Sequence, residues 1–250
     1  MIAVTTVLVT GANKGLGRGF VQKYLSRPNT VVVATVRNPE SEESKALLNL
    51  NKAQGSKLIL VKIESASATD ALEAVESIKK QGVSHLDIVI ANAGIFKSAA
   101  FLEVSKMKSS DLLEHVDINV NGPVRLFQAT LPLLHASRQP KFIAISSGVG
   151  TIGGAEYIPW AVTSYGASKA ALNFLLRRIH IENKDLIAIA FHPGAVQTDE
   201  GNKAAQFFGF EAAFTSVEDS VDGIVAKVDA ATREDTSGRF LAFDNTPLVW

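Results

Sequence analysis

The 250-residue sequence contains no cysteine, which excludes disulfide bonds, thiolate zinc sites and a cysteine nucleophile. It has no excess of charge either. Because 25 basic residues balance 25 acidic residues, the composition does not indicate binding to nucleic acid or to an anionic membrane surface. No apolar run approaches the roughly 20 residues of a membrane span, and the five histidines lack metal-ligand spacing. We therefore expect a cytoplasmic protein without a metal site.

Strand and helix patterns alternate along the whole chain. The strand patterns are continuous apolar runs rich in β-branched residues, and the segments between them have helical periodicity. Continuous apolar strands between helices predict a parallel sheet with helices on both faces. Strands are predicted at 4–10, 30–36, 57–63, 86–91, 141–146, 186–191 and 240–243, and further helices at 40–51, 68–81, 109–136, 165–181 and 216–231.

A glycine-rich turn, TGANKGLG at residues 10–17, follows the first strand and precedes a helical pattern. Glycines in this place allow a tight turn and the close approach of a phosphate to the helix N-terminus. A glycine pattern alone is weak, but here it has the strand-turn-helix setting that a dinucleotide site requires. We therefore predict a doubly wound parallel sheet, the Rossmann fold, forming one domain over residues 1–250.

The end of the second predicted strand indicates which dinucleotide binds. A Rossmann site for NAD usually has an acidic residue there to bind the ribose 2′-hydroxyl, whereas arginine suits a 2′-phosphate. Arg37 occupies this place, and Lys14 in the glycine turn could reach the same group. Both favour NADP. The alternative is that they are two solvated surface cations.

Tyr165 and Lys169 are four residues apart in a segment with a helical pattern, so their side chains share one helix face. A nearby ammonium is expected to lower the pKa of the phenol from its ordinary value of about 10. Such a tyrosine can donate and accept a proton near neutral pH. The alternative is an ordinary tyrosine and lysine on a surface helix.

Several motifs, taken in order, resemble those of the short-chain dehydrogenase/reductase family over essentially the whole chain. They are the glycine turn, Asn-Ala-Gly at 92–94, Asn119, Ser147, Tyr-x-x-x-Lys at 165–169 and Pro-Gly at 193–194. Within the family, the chain is similar to the fungal norsolorinic-acid-ketoreductase-like and sniffer-type carbonyl reductases. This likeness rests on the turn VTGANKGLGRG, the long spacing from Ser147 to Tyr165, and the ending TSGRFL…PLVW.

The resemblance implies a catalytic role for each of four residues. Tyr165 would donate a proton to the substrate oxygen, and Lys169 would lower the pKa of that phenol and hold the nicotinamide ribose. Ser147 would polarise the carbonyl, although the adjacent Ser146 is a rival for this role. Asn119 would complete a proton relay to solvent through a kinked helix. These parts suit ketone reduction, which needs a hydride donor, a proton donor and a hydrogen bond to the developing alkoxide.

The resemblance also implies a set of cofactor contacts. Tyr165 and Lys169 would belong to this set as well, Glu64 stands where the family usually has aspartate beside the adenine, and Thr198 could equally cap a helix. The other implied contacts are Gly11, Asn13, Lys14, Gly15, Leu16 and Gly17 at the phosphates, Arg37 at the 2′-phosphate, Asn92, Ala93 and Gly94 at the adenine ribose, and Pro193, Gly194, Val196 and Thr198 along the nicotinamide.

Two loops, at about 148–163 and 195–215, are predicted to bind the substrate, because pockets in such sheets lie beyond the carboxyl ends of the strands. Their aromatic content favours a bulky apolar or aromatic carbonyl compound. Alternatively, these side chains pack on the core or form a subunit contact. The large apolar residues concerned are Ile152, Tyr157, Ile158, Trp160, Phe207, Phe208, Phe210 and Phe214.

The favoured interpretation is an NADPH-dependent carbonyl reductase, in its specific form a ketoreductase of fungal secondary metabolism. One alternative is an NADP-dependent alcohol dehydrogenase using the same site, and another is an NADP-binding sensor or scaffold without catalysis. His192, before the Pro-Gly pair, is interpreted as structural. The resemblance leaves a homodimer, a homotetramer or a monomer open.

Overall fold

A seven-stranded parallel sheet forms the centre of the computed structural model, which describes residues 4–250. Residues 1–3, included in the predicted domain, lie outside the described residues. The strand order is 3-2-1-4-5-6-7, and every neighbouring pair is parallel. This confirms the predicted doubly wound sheet. The strands are β1 (Thr5–Thr10), β2 (Thr30–Val36), β3 (Lys57–Lys62), β4 (Ile88–Ala91), β5 (Lys141–Ile145), β6 (Ile187–His192) and β7 (Phe240–Ala242).

Helices cover both faces of the sheet. They are α1 (Gly15–Leu25), α2 (Glu42–Lys45), α3 (Asp70–Lys80), α4 (Ser109–Val116), α5 (Gly122–His135), α6 (Thr163–Glu182), α7 (Asp199–Phe207) and α8 (Val217–Asp229). One apolar layer joins α1 and α8 to the sheet, and the other joins α3, α5 and α6 to the opposite face. No helix within residues 4–250 combines the length and the apolar character needed to cross a membrane.

The strands explain why both layers are apolar. Successive side chains of a strand point to opposite faces, so a strand covered on both sides must be apolar throughout. In β1, Val7 and Val9 belong to the layer with α1, whereas Leu8 belongs to the layer with α3. All three are at most 1% exposed.

From β1 the chain adds β2 and β3 on one side of the sheet, and from β4 it adds β5, β6 and β7 on the other side. This change between the neighbouring strands β1 and β4 opens a crevice at their carboxyl ends. The Thr10 hydroxyl ties the two strand ends together, because it accepts hydrogen bonds of 3.0 Å from the backbone N–H groups of Asn92 and Ala93. Asn92 Nδ2 donates in turn to the carbonyl of Thr10 at 2.9 Å. The glycine turn and the Asn-Ala-Gly segment therefore face the same crevice.

Three predicted elements need correction. The helix predicted over 40–51 is only α2 followed by a 3₁₀ turn at Ala46–Asn49, because it buries few side chains against the rest of the fold. The helix predicted over 109–136 is divided into α4 and α5 by a π-helical turn, Asp117–Asn121. Helix α7 was expected to be loop, although the Thr198 hydroxyl caps it by accepting from the Gly201 N–H.

Candidate active site

Tyr165 and Lys169 lie on one face of α6, in a buried site beyond the carboxyl end of β5. Lys169 Nζ is 5.5 Å from the centroid of the Tyr165 ring. The ammonium also donates a 2.7 Å hydrogen bond to the carbonyl of Ile145, the last residue of β5. The Lys169 side chain is therefore held at the end of β5. It shares one face of α6 with Tyr165, as the i, i+4 spacing predicts.

Burial sets the protonation of the phenol. It raises the pKa of Tyr165 to about 12, and the nearby Ser147 hydroxyl opposes this shift without overcoming it. The lowered pKa expected from Lys169 is therefore wrong for this structure, because loss of hydration disfavours the charged phenolate. Tyr165 is accordingly a neutral phenol near pH 7, with a proton to give.

Lys169 responds to burial in the opposite direction. Its side chain is 5% exposed, and loss of hydration lowers its pKa to about 8. Burial disfavours the charged form of any group, so an ammonium loses its proton more readily inside the protein than in water. The amine thus titrates close to physiological pH, much nearer than an exposed lysine does.

The two adjacent serines at the end of β5 have different surroundings. Ser146 is 1% exposed, and its hydroxyl donates a 2.5 Å hydrogen bond to Oδ1 of Asn173 on α6. The Ser147 hydroxyl faces Tyr165 and accepts a 3.4 Å hydrogen bond from the Val149 N–H. Of the two serines, Ser147 therefore lies beside the phenol of Tyr165, whereas the Ser146 hydroxyl is occupied by its hydrogen bond to Asn173.

Asn119 lies in the π-helical turn and is 1% exposed. Its Oδ1 accepts from the Ile95 N–H at 2.8 Å, and its Nδ2 donates to the Ile95 carbonyl and to Ser168 Oγ, both at 3.0 Å. A Cβ at Gly94 would come within 2.9 Å of Asn119 Oδ1 and 3.8 Å of Lys169 Nζ. Asn119 thus joins the loop after β4 to α6, beside the lysine. The extra residue of the turn is a feature often found at functional sites.

The glycine turn forms a cradle that fits a dinucleotide phosphate. Gly11 and Gly15 have φ of +64° and +52°, which side chains rarely adopt. A Cβ at Gly17 would stand 2.1 Å from the Gly11 carbonyl oxygen, so the turn closes only around glycine. At the start of α1 the residue Lys14 makes no side-chain cap, and the first turn holds no acidic residue. The N–H groups in the first turn of α1 are therefore free to bind an anion.

Two cations flank this cradle. Arg37 is exposed at the end of β2 and forms no ion pair within residues 4–250. Lys14 is half exposed and makes a long contact of 3.9 Å with Glu200 on α7. Both could reach a phosphate on the adenine ribose. The next turn residue, Asn13, donates a 3.0 Å hydrogen bond from Nδ2 to Glu43 on α2.

The other predicted cofactor residues lie around the same crevice. Leu16 packs against the core layer of α1 and α8, so its side chain has a structural contact. Glu64, after β3, donates its backbone N–H to Asp70 at 2.9 Å and is half buried. On the far side, Gly194 has φ of +86°, and Val196 pairs with Thr215 in an isolated bridge.

Thr198 and Pro193 connect this far side to the helices. Besides capping α7, Thr198 places its methyl group 3.0 Å from the position of a Cβ on Gly15, across the cradle. The carbonyl of Pro193 accepts a 2.6 Å hydrogen bond from Ser220 on α8. The glycine turn and the Pro-Gly segment therefore form two walls of one groove, and α7 starts at its rim.

Four site residues were missed or set aside by the sequence interpretation. Phe96 packs on Tyr165 with ring centroids 4.3 Å apart, and His115 meets the same ring edge-on at 6.3 Å. Phe101 packs on Phe96 at 4.6 Å. The half-buried His192 ring would lie 3.3 Å from a Cβ at Gly148, and loss of hydration lowers the pKa of its imidazole. The only available signal was the place of Phe96 two residues after the Asn-Ala-Gly motif.

The two predicted substrate loops meet above Tyr165, but only part of their aromatic content takes part. Phe208 and Trp160 pack together with centroids 5.2 Å apart, in a cluster that includes Val162, Ile158 and Ala204. Phe207 is 57% exposed but packs edge-on against Phe101 at 5.2 Å and Phe208 at 5.3 Å. Ile152 and Tyr157 are 77% and 80% exposed, and Phe210 and Phe214 form a separate pair at 5.0 Å.

Comparison with known proteins shows the family to which the chain belongs. Residues 5–207 match the short chain dehydrogenase family. The chain is 43% identical over 250 residues to norsolorinic acid ketoreductase of Aspergillus parasiticus, covering 98% of this chain and 91% of that protein.

Two solved structures are similar over the whole fold. One is a carbonyl reductase from chicken fatty liver with bound NADPH, which has a TM-score of 0.85, 30% identity and full coverage of both chains. The other is the carbonyl reductase Sniffer of Drosophila melanogaster, with a TM-score of 0.83, 26% identity and coverage of 99% of this chain and 100% of that one. Since the family match covers most of the chain and the relatives cover nearly all of it, this protein belongs to the short-chain dehydrogenase family.

Proposed function

We propose that this protein is an NADPH-dependent carbonyl reductase that reduces a hydrophobic ketone or aldehyde, with Tyr165 as the proton donor. The observation that carries the proposal is the phenol of the half-buried Tyr165, which loss of hydration keeps protonated at neutral pH and which lies beside Ser147 and Lys169. A protonated phenol is the form that gives a proton to a developing alkoxide.

The cofactor assignment rests on the glycine cradle and its cations. The uncapped start of α1 suits a pyrophosphate, and Arg37 with Lys14 suits the 2′-phosphate that distinguishes NADP from NAD. Asn92, Ala93 and Gly94 line the crevice where the adenine ribose would lie, with Glu64 nearby. The 30% identical carbonyl reductase from chicken was solved with bound NADPH, which supports the same choice.

Each residue of the site has a definable task. NADPH, when bound, supplies the hydride. Ser147 donates a hydrogen bond to the carbonyl oxygen and polarises the bond. Tyr165 gives its phenolic proton to that oxygen as negative charge develops there. Lys169 stabilises the phenolate left behind and holds ribose hydroxyls, and Asn119 keeps the loop after β4 in place beside the lysine.

The substrate is a carbonyl compound with an aromatic or polyketide-like body. Trp160 and Phe208, from the loops at 148–163 and 195–215, pack together and connect to Tyr165 through Phe101 and Phe96. Pockets lined with aromatic rings and few polar groups bind large apolar ligands. Similarity to norsolorinic acid ketoreductase, whose name specifies a ketone substrate, supports a role in fungal secondary metabolism.

The test compares Tyr165→Phe with Tyr157→Phe, a control at an 80% exposed tyrosine of the neighbouring loop. NADPH oxidation is followed with an aromatic ketone, and NADPH binding is followed by its fluorescence. We expect Tyr165→Phe to lose about 10²–10⁴-fold in kcat while binding NADPH as tightly as wild type. Tyr157→Phe should retain activity. Full activity of Tyr165→Phe would disprove the assignment of the proton donor.

A further inference from the structure

A continuous series of aromatic rings runs from Tyr165 to the outside of the site. Phe96 packs on Tyr165 at 4.3 Å, and Phe101 packs on Phe96 at 4.6 Å. Phe208 stacks on Phe101 at 5.3 Å with an angle of only 10° between the planes. Trp160 packs on Phe208 at 5.2 Å and ends the series. We call the four rings beyond Tyr165, which are Phe96, Phe101, Phe208 and Trp160, the aromatic stack.

The aromatic stack is assembled from three separate connections at the carboxyl edge of the sheet. Phe96 and Phe101 come from the segment after β4, and Trp160 from the insertion before α6. Phe208 comes from the end of α7. The buried member is Phe101, at 5% exposed, whereas Trp160 is 39% exposed. The stack is thus buried at its middle, at Phe101, and most exposed at its outer end, at Trp160.

The position of Phe96 restricts how a ketone can reach the reacting groups. The carbonyl oxygen of a substrate must lie near the Tyr165 hydroxyl and Ser147, and the ring covering the Tyr165 face is Phe96. A substituent of the carbonyl carbon that lies along Phe96 points towards Phe101, which packs on Phe96 at 4.6 Å. That direction leads to the nearly parallel Phe101–Phe208 pair, whose separation is typical of stacked rings.

From this geometry we propose that Phe96, Phe101 and Phe208 select the shape of the substrate. A flat aromatic ketone takes the place that Phe208 holds against Phe101, and α7 carries Phe208 outward to cover the ligand. A saturated ring of equal size cannot stack in that place, because its puckered carbon skeleton is too thick. This inference rests on the proposed carbonyl reductase function and specifies the substrate as planar and aromatic next to its carbonyl.

Two ketones with one carbon skeleton test the proposal: α-tetralone, which has a flat aromatic ring fused beside the carbonyl, and α-decalone, which is fully saturated. The measured quantity is the ratio of their kcat/KM values in each variant relative to wild type, so that differences in intrinsic reactivity cancel. Stacked aromatic contacts predict that Phe208→Leu and Phe96→Leu each lower the tetralone-to-decalone ratio by about 3- to 10-fold.

Phe210→Leu is the matched control. Phe210 lies two residues from Phe208 in the same segment but packs on Phe214, outside the aromatic stack. It is 41% exposed, so its loss should leave the ratio within about 2-fold of wild type. A ratio that stays unchanged in Phe96→Leu and Phe208→Leu, or that falls equally in Phe210→Leu, would overturn the proposal.

A binding measurement separates this proposal from the proposed function. The chain has two tryptophans, so Trp250→Phe leaves Trp160, inside the stack, as the one remaining reporter. We expect α-tetralone to change Trp160 fluorescence at a concentration several-fold lower than α-decalone, after correction with free tryptophan. Phe208→Leu should remove that difference. If neither ketone is reduced and this binding preference persists, the reductase assignment fails and shape selection stands. Equal binding of both ketones would overturn shape selection even in an active reductase.

Discussion

The Ser146 hydroxyl donates a 2.5 Å hydrogen bond to Oδ1 of Asn173, so this serine joins β5 to α6 from inside the core. Its neighbour Ser147 turns the other way, towards the phenol of Tyr165. The two adjacent serines therefore point to opposite sides of the strand end, and either hydroxyl can be removed by mutation without the other.

Alanine at each serine should affect a different property. Ser147→Ala is expected to lower kcat by about 10²-fold through loss of the hydrogen bond to the carbonyl oxygen, with the free energy of unfolding unchanged within about 0.5 kcal/mol. Ser146→Ala should lose about 1–3 kcal/mol of stability, because Asn173 Oδ1 is left buried without its donor, and should keep kcat. Steady-state kinetics and urea unfolding measure both. The roles assigned here are wrong if Ser146→Ala loses turnover and Ser147→Ala does not.

Arg37→Ala tests the cofactor preference. Removing a cation at the end of β2 should weaken NADPH binding by about 10-fold or more and leave NADH binding unchanged, since only NADPH carries the 2′-phosphate. Arg138→Ala is the control, at an exposed arginine distant from the crevice. Titration of nicotinamide fluorescence gives both affinities. Equal weakening for the two cofactors, or none for NADPH, would place Arg37 outside the binding site.

Gly17→Ala should destroy the phosphate cradle. The new Cβ would meet the Gly11 carbonyl at 2.1 Å, so the backbone must shift and the turn opens. We expect NADPH binding to be lost together with several kcal/mol of stability, as for other severe backbone clashes. Gly82→Ala is the control, because Gly82 has φ of +87° but nothing within 4 Å of an added Cβ. It should cost about 1–2 kcal/mol and leave NADPH affinity intact. Retained affinity in Gly17→Ala would show that the turn does not hold the cofactor.

Burial of Lys169 predicts how stability changes with pH. The folded amine loses its proton near its pKa of about 8, whereas an unfolded lysine stays protonated to about pH 10.4. Between these values the folded state binds fewer protons, so the free energy of unfolding should rise with pH. The expected rise from pH 8 to pH 10 is about 2 kcal/mol relative to Lys169→Met.

Urea unfolding of the protein without cofactor, at several pH values, measures this difference. Lys184→Met is the control, since Lys184 is exposed and its loss should leave the wild-type slope. A slope in Lys169→Met equal to that of wild type would mean that the buried amine stays charged throughout the range.

Features that repeat locally could be predicted from the sequence. The apolar strand runs and the glycine turn determine the sheet and the crevice, and their boundaries lie within about three residues of the prediction. The π-helical turn could not be predicted from local periodicity, because it depends on Asn119 reaching the backbone of Ile95, 24 positions earlier; only the family resemblance implied a kink at Asn119. Helix α7 was missed because Gly201 interrupts its pattern, and the Thr198 cap compensates in the folded chain.

In the candidate site, too, local spacing could be predicted and contacts between distant segments could not. Tyr165 and Lys169 could be paired from helical spacing alone, but the direction of the tyrosine pKa could not, because it depends on how much of the fold covers the ring. Phe96 and Phe101 have no spacing that links them to Phe208. Only the folding of three strand connections to one edge brings these rings together.

The aromatic stack also bears on how such an enzyme can diversify. Its rings reside on connections that leave the sheet, whereas the proton donor and the cradle are fixed by α6, α1 and the strand ends. Under the proposed function, exchange of the 96–101, 148–162 and 199–214 segments between relatives should alter which ketone is accepted while keeping the cradle and the helix that carries Tyr165 and Lys169. Substrate preference would then change separately from the chemistry, and recombination at the strand ends would be the shortest route to a new specificity.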